Sequence, residues 1–503
     1  MEAWVAVVLF LLFLLSYFLL SFKPKSGGND HHHKKLPPSP WGLPLLGHLH
    51  MLGDLPHRDL HRLAKNYGPI MSIRLGLVPT IVVSSPKAAE LFLKTHDAVF
   101  ASRPKLQIAE CVSYGQKNLV YAPYGPYWRN IRKLCTLELF SNSKIEMFRP
   151  MRREELVLFV ETVKNASVDG SKVNISAMIE SVFEDMTYRM VFGFKDDTFN
   201  IKSTIKELME LAGTFNMADY IPWLGAFDIQ GLGRRMKSVA TLLDGFLEKI
   251  IDEHVVNAKE HKGQHKDFID VMLSLMESNN TRELHLDRDH IKAILVDMLA
   301  AGMNTSSTAT EWVITELVKN PRVMKLVQAE LVNTVGLERM VEETDLIKLD
   351  YLNMVIKETL RVHSVAPLLA PHESTEDVMV DGYFIPKKTR VIVNAWAIGR
   401  DPEVWSDNAE EFYPERFIGS NMDVLGNDLQ LIPFGSGRRK CPGMQLGLTV
   451  VHLVVAQLVH CFNLKPPDGI SPDNLDMTEK FGLTMPRANS LLANPSYRLR
   501  IEV

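Results

Sequence analysis

One cysteine in this chain sits where it could do chemistry. Pro433-Phe434-Gly435-Ser436-Gly437-Arg438-Arg439-Lys440-Cys441-Pro442-Gly443 is a glycine-rich, basic loop that delivers Cys441 and opens into an apolar run from Met444 to Val459. Three glycines let backbone approach a large flat group, and three neighbouring cations favour the thiolate, so Cys441 is a candidate ligand or nucleophile. The run after it reads as a helix whose N-terminal N–H groups and dipole face the sulfur. A buried structural cysteine at a helix start is the plainer alternative.

Other spacings bear on the same chemistry. Trp128 and Arg132 are four residues apart and share a helix face, which pairs an indole donor with a guanidinium suited to carboxylates. A surface basic helix with one buried tryptophan has the same pattern. Within the long apolar helix read from Ile291 to Asn320, Gly302 weakens the helix and Thr305 is able to bond back to a carbonyl, so a local widening at Ala300–Ser307 is expected. A groove beside a hydroxyl suits a small diatomic. Glu358 and Arg361 form an acid–base pair one helical turn apart, weak evidence by itself.

The loop matches Phe-x-x-Gly-x-Arg-x-Cys-x-Gly at Phe434, Gly437, Arg439, Cys441 and Gly443, and the chain therefore resembles the cytochrome P450 family. Trp128-x-x-x-Arg132, the Ala301–Ser306 stretch, Glu358-x-x-Arg361 and Pro414-Glu415-Arg416-Phe417 follow the family's order. The cysteine loop, the Pro-Glu-Arg-Phe box and the Asn394–Pro402 run resemble the plant A-type members.

The resemblance implies a mainly α P450 fold with small β-sheets and haem b as cofactor. Cys441 would be the axial iron ligand. Phe434 would pack beside it. Trp128, Arg132, His372 and Arg439 would meet the propionates. Glu358, Arg361 and Arg416 would form a buried network behind the haem, supporting the loop without reacting. Thr305 and its neighbour would serve dioxygen chemistry, but Asn304 stands where the family carries an acid, and an amide cannot exchange a proton as a carboxylate does. Water held by Thr305 and Asn304, or an ionisable substrate such as an amine, would then carry the proton. Ile108, Ala301, Val365, Ala366, Leu368, Leu369, Phe481 and Leu483 would line the substrate pocket.

These parts need a large scaffold. The chain has 503 residues, 46% of them apolar, enough for a sizeable core, and its net charge of −4 gives no reason to expect nucleic acid as a partner. Cys111, Cys135, Cys441 and Cys461 have neither disulfide-framework nor zinc spacing, which suits a reducing compartment. Met71–Val83 reads as a short hairpin, Pro86–Lys94 as a helix after it, and Tyr383–Ile385 and Arg390–Ala395 as strands.

Three regions are expected: residues 1–22 as a transmembrane anchor, 23–44 as a basic and proline-rich hinge, and 45–503 as the catalytic domain. Ala3–Phe22 carries no charge and is long enough to cross a bilayer. Lys23, Lys25, Lys34 and Lys35 follow it, placing the rest of the chain in the cytosol and leaving the sequons at Asn165, Asn174 and Asn279 unmodified. His31–His33 read as solvated linker and Glu260–Lys266 as a surface loop. Phe215–Leu232 breaks helical periodicity with aromatic groups, suggesting membrane contact, a substrate entrance or core packing.

By resemblance the chain is a single-pass endoplasmic reticulum enzyme. It would take electrons from NADPH through NADPH-cytochrome P450 reductase, docked on the basic face of Arg129, Arg132, Lys133, Arg438 and Lys440. The implied reaction is oxidation by O2, chiefly hydroxylation, of a lipophilic terpenoid, alkaloid or phenylpropanoid. Desaturation, oxidative coupling, a reductase-independent isomerase or dehydratase, and a non-catalytic haem sensor are the alternatives.

Overall fold

The computed structural model describes residues 35–168, 172–195, 200–260, 267–277, 285–467 and 469–501. The expected anchor, Lys23, Lys25, Lys34, His31–His33, Asn279 and most of the 260–266 tract lie outside the described residues. The elements used below are α1 (Pro56–Tyr67), β1 (Ile70–Leu75), β2 (Val78–Val83), α2 (Gln107–Val112), α3 (Pro126–Glu138), α4 (Ile175–Phe192), α5 (Leu232–Glu260), α6 (Arg288–Lys319), α7 (Asp350–Val362), β3 (His372–Glu373), β4 (Arg390–Val393) and α8 (Met444–Cys461). The chain is mainly helical with small sheets.

Helix α6 organises the rest. It is apolar around most of its circumference, the pattern of a helix meant to be enclosed. Asp287 caps it, accepting from the His290 amide at 2.9 Å. Ile291, Ile294, Leu295 and Leu299 join the core built with α2, α3 and α5. Val313, Ile314 and Leu317 join a second core with α4 and α8. Truncating one of these leucines to alanine costs about 2–5 kcal/mol.

Between the two cores the burial lapses. Residues 290–299 and 307–318 are buried, whereas Ala301 is exposed and Gly302, Asn304, Thr305 and Ser306 are half-buried. An exposed alanine between buried turns means that α6 faces a hollow there. The expected helix is present and continuous, running as α-helix from Arg288 to Lys319 with no wider turn at Ala300–Ser307. Gly302 instead allows close packing, since a Cβ there would already touch Thr187 of α4 at 3.4 Å.

β1 and β2 pair antiparallel, β2 pairs parallel with β4, and β4 pairs antiparallel with β3, giving the order β1-β2-β4-β3. The hairpin turn needs its glycine: Gly76 has φ +59°, and a Cβ there would meet the Tyr220 carbonyl at 2.6 Å. Val378–Val380 pairs with Tyr383–Ile385, as Leu492–Tyr497 pairs with Val173–Asn174 and Phe462–Lys465. The helix expected at Pro86–Lys94 is α-helical only to Glu90 and continues as one wider turn. By length and composition α8 could cross a membrane, but two thirds of it is buried inside the fold, as a core helix is.

Candidate cofactor and substrate site

The cysteine loop is folded back on itself. The Cys441 amide donates to the Phe434 carbonyl at 3.0 Å, and Ser436 Oγ donates to the Gly426 carbonyl at 2.6 Å. Gly437 has φ +69° and sits so close to the Leu93 carbonyl that any side chain would collide with it. The phenyl ring of Phe434 is half-buried against the core that contains α8.

The three cations beside Cys441 do not surround its sulfur, contrary to the expectation from sequence. Arg438 pairs with Asp97 at 2.9 Å and donates to the Tyr124 hydroxyl at 2.9 Å. Arg439 turns to backbone carbonyls elsewhere. Burial is the largest influence on the Cys441 thiol and pushes it up; the Gly443 amide and Arg132 of α3 pull the other way without overcoming it. Such a sulfur needs a bound cation to stay ionised.

Close by lies a group of arginines that form no ion pair among the described residues. Arg439 donates to the carbonyls of Ala101 at 2.6 Å, Leu119 at 3.3 Å and Ala122 at 2.5 Å. Arg103 donates to those of Val120 at 3.3 Å, Ala370 at 2.6 Å and Pro371 at 2.8 Å. Arg132 lies 5.9 Å from the Trp128 ring. The Trp128 N–H is given to the Leu119 carbonyl at 3.0 Å. Burial lowers Arg439 to about 8, with Arg103 and Arg132 adding like-charge repulsion. Burial also lowers Arg103 to about 10. Burial, with Arg103 beside it, lowers His372 to about 3; its Nδ1 donates to the Phe100 carbonyl at 2.8 Å, leaving Nε2 as its remaining polar atom.

Buried, unpaired cations are costly unless an anion joins them. Next to a half-buried thiol and a hollow, this donor set fits a flat cofactor with a thiolate-seeking metal and carboxylates at its edge. Haem b meets that description.

Sequence reasoning passed over Arg103 and Asp297. Asp297 is buried on α6 and accepts from Asn118 Nδ2 at 2.9 Å, the Leu119 amide at 2.7 Å and the Val120 amide at 3.0 Å. Burial raises it to about 6 against those bonds. It thereby fixes the peptides whose carbonyls receive Trp128, Arg439 and Arg103. An acid inside the apolar run from Ala293 to Ala301 was the available signal. Arg103, in an irregular stretch before Pro104, offered none.

Glu358, Arg361 and Arg416 are in contact. Arg361 is bidentate to Glu358 at 2.8 and 2.7 Å, with both side chains fully buried, and Arg416 Nε reaches the same carboxylate at 2.8 Å. Arg361 also donates to the carbonyls of Gly399, Ala409 and Glu411. The charges are thus paired and their remaining hydrogens placed, the condition for burying them.

Around the hollow, Thr305 Oγ1 donates to the Ala301 carbonyl at 2.6 Å, and the backbone carbonyl of Asn304 accepts from Ser307 Oγ at 3.1 Å. One residue beyond Thr305, Ser306 lies within 3.6 Å of where a Gly447 Cβ would stand, so α6 meets the first turns of α8 just past Cys441. Val365 is buried, Ala366 and Leu368 are half-buried, and half-buried Leu369 holds φ +50°. The Met485 amide donates to the Val365 carbonyl at 2.9 Å, tying that segment to 481–485. Leu483 is 37% exposed, and its backbone packs on Gly213. One expected pocket residue has other surroundings: Ile108 is sealed in the core formed with α3 and α5. Phe481 is half-buried, with one face of its ring stacked on His57 at 5.8 Å.

The sequence profile described as Cytochrome P450 matches residues 37–492. The chain is 60% identical to cytochrome P450 CYP736A12 of Panax ginseng over 93% of this chain and 94% of that one. It is 43% identical to amorpha-4,11-diene 12-monooxygenase of Artemisia annua (95% and 96% covered) and 41% identical to 5-epiaristolochene 1,3-dihydroxylase of Nicotiana tabacum (97% and 97%). A zebrafish cytochrome P450 solved with abiraterone superposes with a TM-score of 0.74 at 25% identity, covering 88% of this chain and all of that one.

Proposed function

This chain belongs to the cytochrome P450 family and is an oxidoreductase, and we propose that it is a monooxygenase that hydroxylates a lipophilic plant specialised metabolite, terpenoids being the foremost class. The observation that carries the reading is the half-buried Cys441 thiol together with Arg103, Arg132 and Arg439, which form no ion pair among the described residues, near the hollow beside α6 at Ala301–Ser306. The terpenoid class rests on two relatives, named as a dihydroxylase and a monooxygenase of the sesquiterpenes 5-epiaristolochene and amorphadiene.

Bound haem b would supply dioxygen activation, with electrons from NADPH through a separate reductase. Cys441 would ligate its iron, while Arg103, Arg132 and Arg439 would hold its carboxylates; Trp128 and His372, whose ring N–H groups are given to the Leu119 and Phe100 carbonyls, would support that cluster from beside it. Glu358, Arg361 and Arg416 would keep the cysteine loop in place. Thr305 Oγ1, already bonded to the Ala301 carbonyl, would hold a water with the Asn304 amide, and protons would move through that water or come from an ionisable substrate. The apolar walls Val365–Leu369 and Phe481–Leu483 would exclude bulk water and orient the substrate.

Exposed Arg129 and Lys133 and half-buried Lys440 form no ion pair among the described residues and would meet an acidic reductase. Phe215, Trp223, Phe227 and Ile229 are exposed side by side in sequence, and Trp41 is 74% exposed; these would rest on lipid beside the anchor at 1–22 and the hinge at 23–44, with 45–503 as the cytosolic catalytic domain at the endoplasmic reticulum.

The test is incubation of the membrane-expressed chain with plant reductase, NADPH, labelled O2 and a sesquiterpene panel, against Cys441→Ala. Gain of one labelled oxygen supports the reading. Loss of two hydrogens points to desaturation or coupling, and product formed without NADPH overturns the monooxygenase assignment.

A further inference from the structure

His57, on the first turn of α1, is fully buried, yet neither ring nitrogen has a hydrogen-bond partner among the described residues. A histidine kept in such a place is held by its faces. One face stacks on Phe481, centroids 5.8 Å apart and planes 16° from parallel, and Trp396 meets the ring edge-on at 5.2 Å. Glu479, two residues before Phe481, lies 3.8 Å from His57 Nε2, beyond hydrogen-bond reach, and is fixed by Arg58 at 2.5 Å.

These contacts join both proposed pocket walls. The Trp396 amide donates to the Pro367 carbonyl at 3.2 Å, inside the Val365–Leu369 wall. The His57 carbonyl accepts from Asn394 Nδ2 at 2.7 Å, which fixes α1 to the segment carrying Trp396. The 479–487 strip bridges its own ends at Glu479 and Arg487, and its far side is bound by Met485 to Val365. Within the strip, Glu479 is held from outside by Arg58 and Arg487 by Thr315, and between them the Phe481 ring is held by stacking on His57.

We propose that His57 is a positioning residue for substrate specificity: its ring sets the plane of Phe481 and thereby the shape of the pocket above the cofactor. The inference rests on the thiolate–haem reading and on Phe481 as a pocket wall. No residue of α1 belongs to the pocket, so this specificity would come from behind it.

The test uses the full-length holoprotein in membranes and two iron-binding probes, imidazole and 4-phenylimidazole, titrated by difference spectroscopy. Imidazole reports on iron alone, whereas 4-phenylimidazole must also fit between the walls. His57→Ala is expected to change the 4-phenylimidazole dissociation constant by about two- to tenfold, the scale of one aromatic pair, with imidazole unchanged. His57→Phe, which keeps a ring to stack, should return the parent value, and His57→Gln should not. Equal probe affinities in parent and His57→Ala overturn the inference, as does failure of His57→Phe to restore them when both variants show the parent's carbon monoxide spectrum. Absence of any imidazole shift in the parent overturns the thiolate–haem reading and this inference with it.

Discussion

The Arg439 guanidinium lies 4.1 Å from the Trp128 ring centroid, and the two side chains donate to one acceptor, the carbonyl of Leu119. Stacking and a shared acceptor fix the arginine without neutralising it. Its charge is left for a ligand. Arg439→Leu should therefore lose most bound haem, seen as haem per mole of purified protein. Trp128→Phe, which keeps the ring but not the N–H, should retain more. Equal haem content in Arg439→Leu and the parent would contradict the proposed carboxylate role.

Among the described residues Glu358 is the one acid paired with both fully buried Arg361 and half-buried Arg416. Glu358→Ala leaves both uncompensated, at a cost of about 3–5 kcal/mol. That is a large share of a domain's stability. The variant should accumulate poorly and melt well below the parent, and Glu358→Gln, which keeps the shape but not the charge, should be only partly better. Thermal melts of membrane preparations decide it.

His254 of α5 is held by Asp267, 3.0 Å away at the start of the next helix. Burial lowers the His254 pKa, but Asp267 outweighs it, and the imidazole is raised to about 9. A raised histidine stabilises the fold fully below its unfolded value near 6.5 and loses that contribution as pH climbs to about 9. Screening by water reduces the effect to about 1 kcal/mol. His254→Gln should thus melt below the parent at pH 6.5 and approach it by pH 9.5. A gap that stays constant across this range would refute the linkage.

Thr305 and Asn304 make separable predictions. Thr305→Ala removes the hydroxyl bonded to Ala301 and should raise NADPH consumed per product severalfold. Asn304→Asp should leave that ratio unchanged or worse if water at Thr305 or the substrate already carries the proton. A large improvement would show that position 304 needs an acid.

Much of this was legible in the chain because it is local. Cys441 with its glycines, Glu358 three residues before Arg361, and the apolar run of α8 are patterns within a few turns, and the helical class follows from periodicity. What stayed hidden depends on distant partners. Arg438 looks like a neighbour of Cys441 until Asp97 claims it. Phe481 reads as a pocket residue, but its ring plane is fixed by His57, more than four hundred residues earlier. The widening expected in α6 is replaced by regular helix for a related reason: Gly302 makes room for Thr187 of α4, and packing there offsets what an isolated helix would lose.

Asp297 divides the loop between α2 and α3 into two parts with different freedom to change. From Leu119 to Ala122 the backbone is largely committed: the Leu119 and Val120 amides to Asp297, the Tyr121 amide to Asn118 Oδ1, and the carbonyls of Leu119, Val120 and Ala122 to Trp128, Arg103 and Arg439. An insertion of one residue there would present amides to the arginines and scramble the cradle. Upstream, at 114–117, no carbonyl serves those arginines and no residue is buried, so length and side chains there are freer to vary without dislodging the cofactor. New substrate preferences would thus be acquired most cheaply on the upstream side of Asn118, with the catalytic apparatus inherited intact.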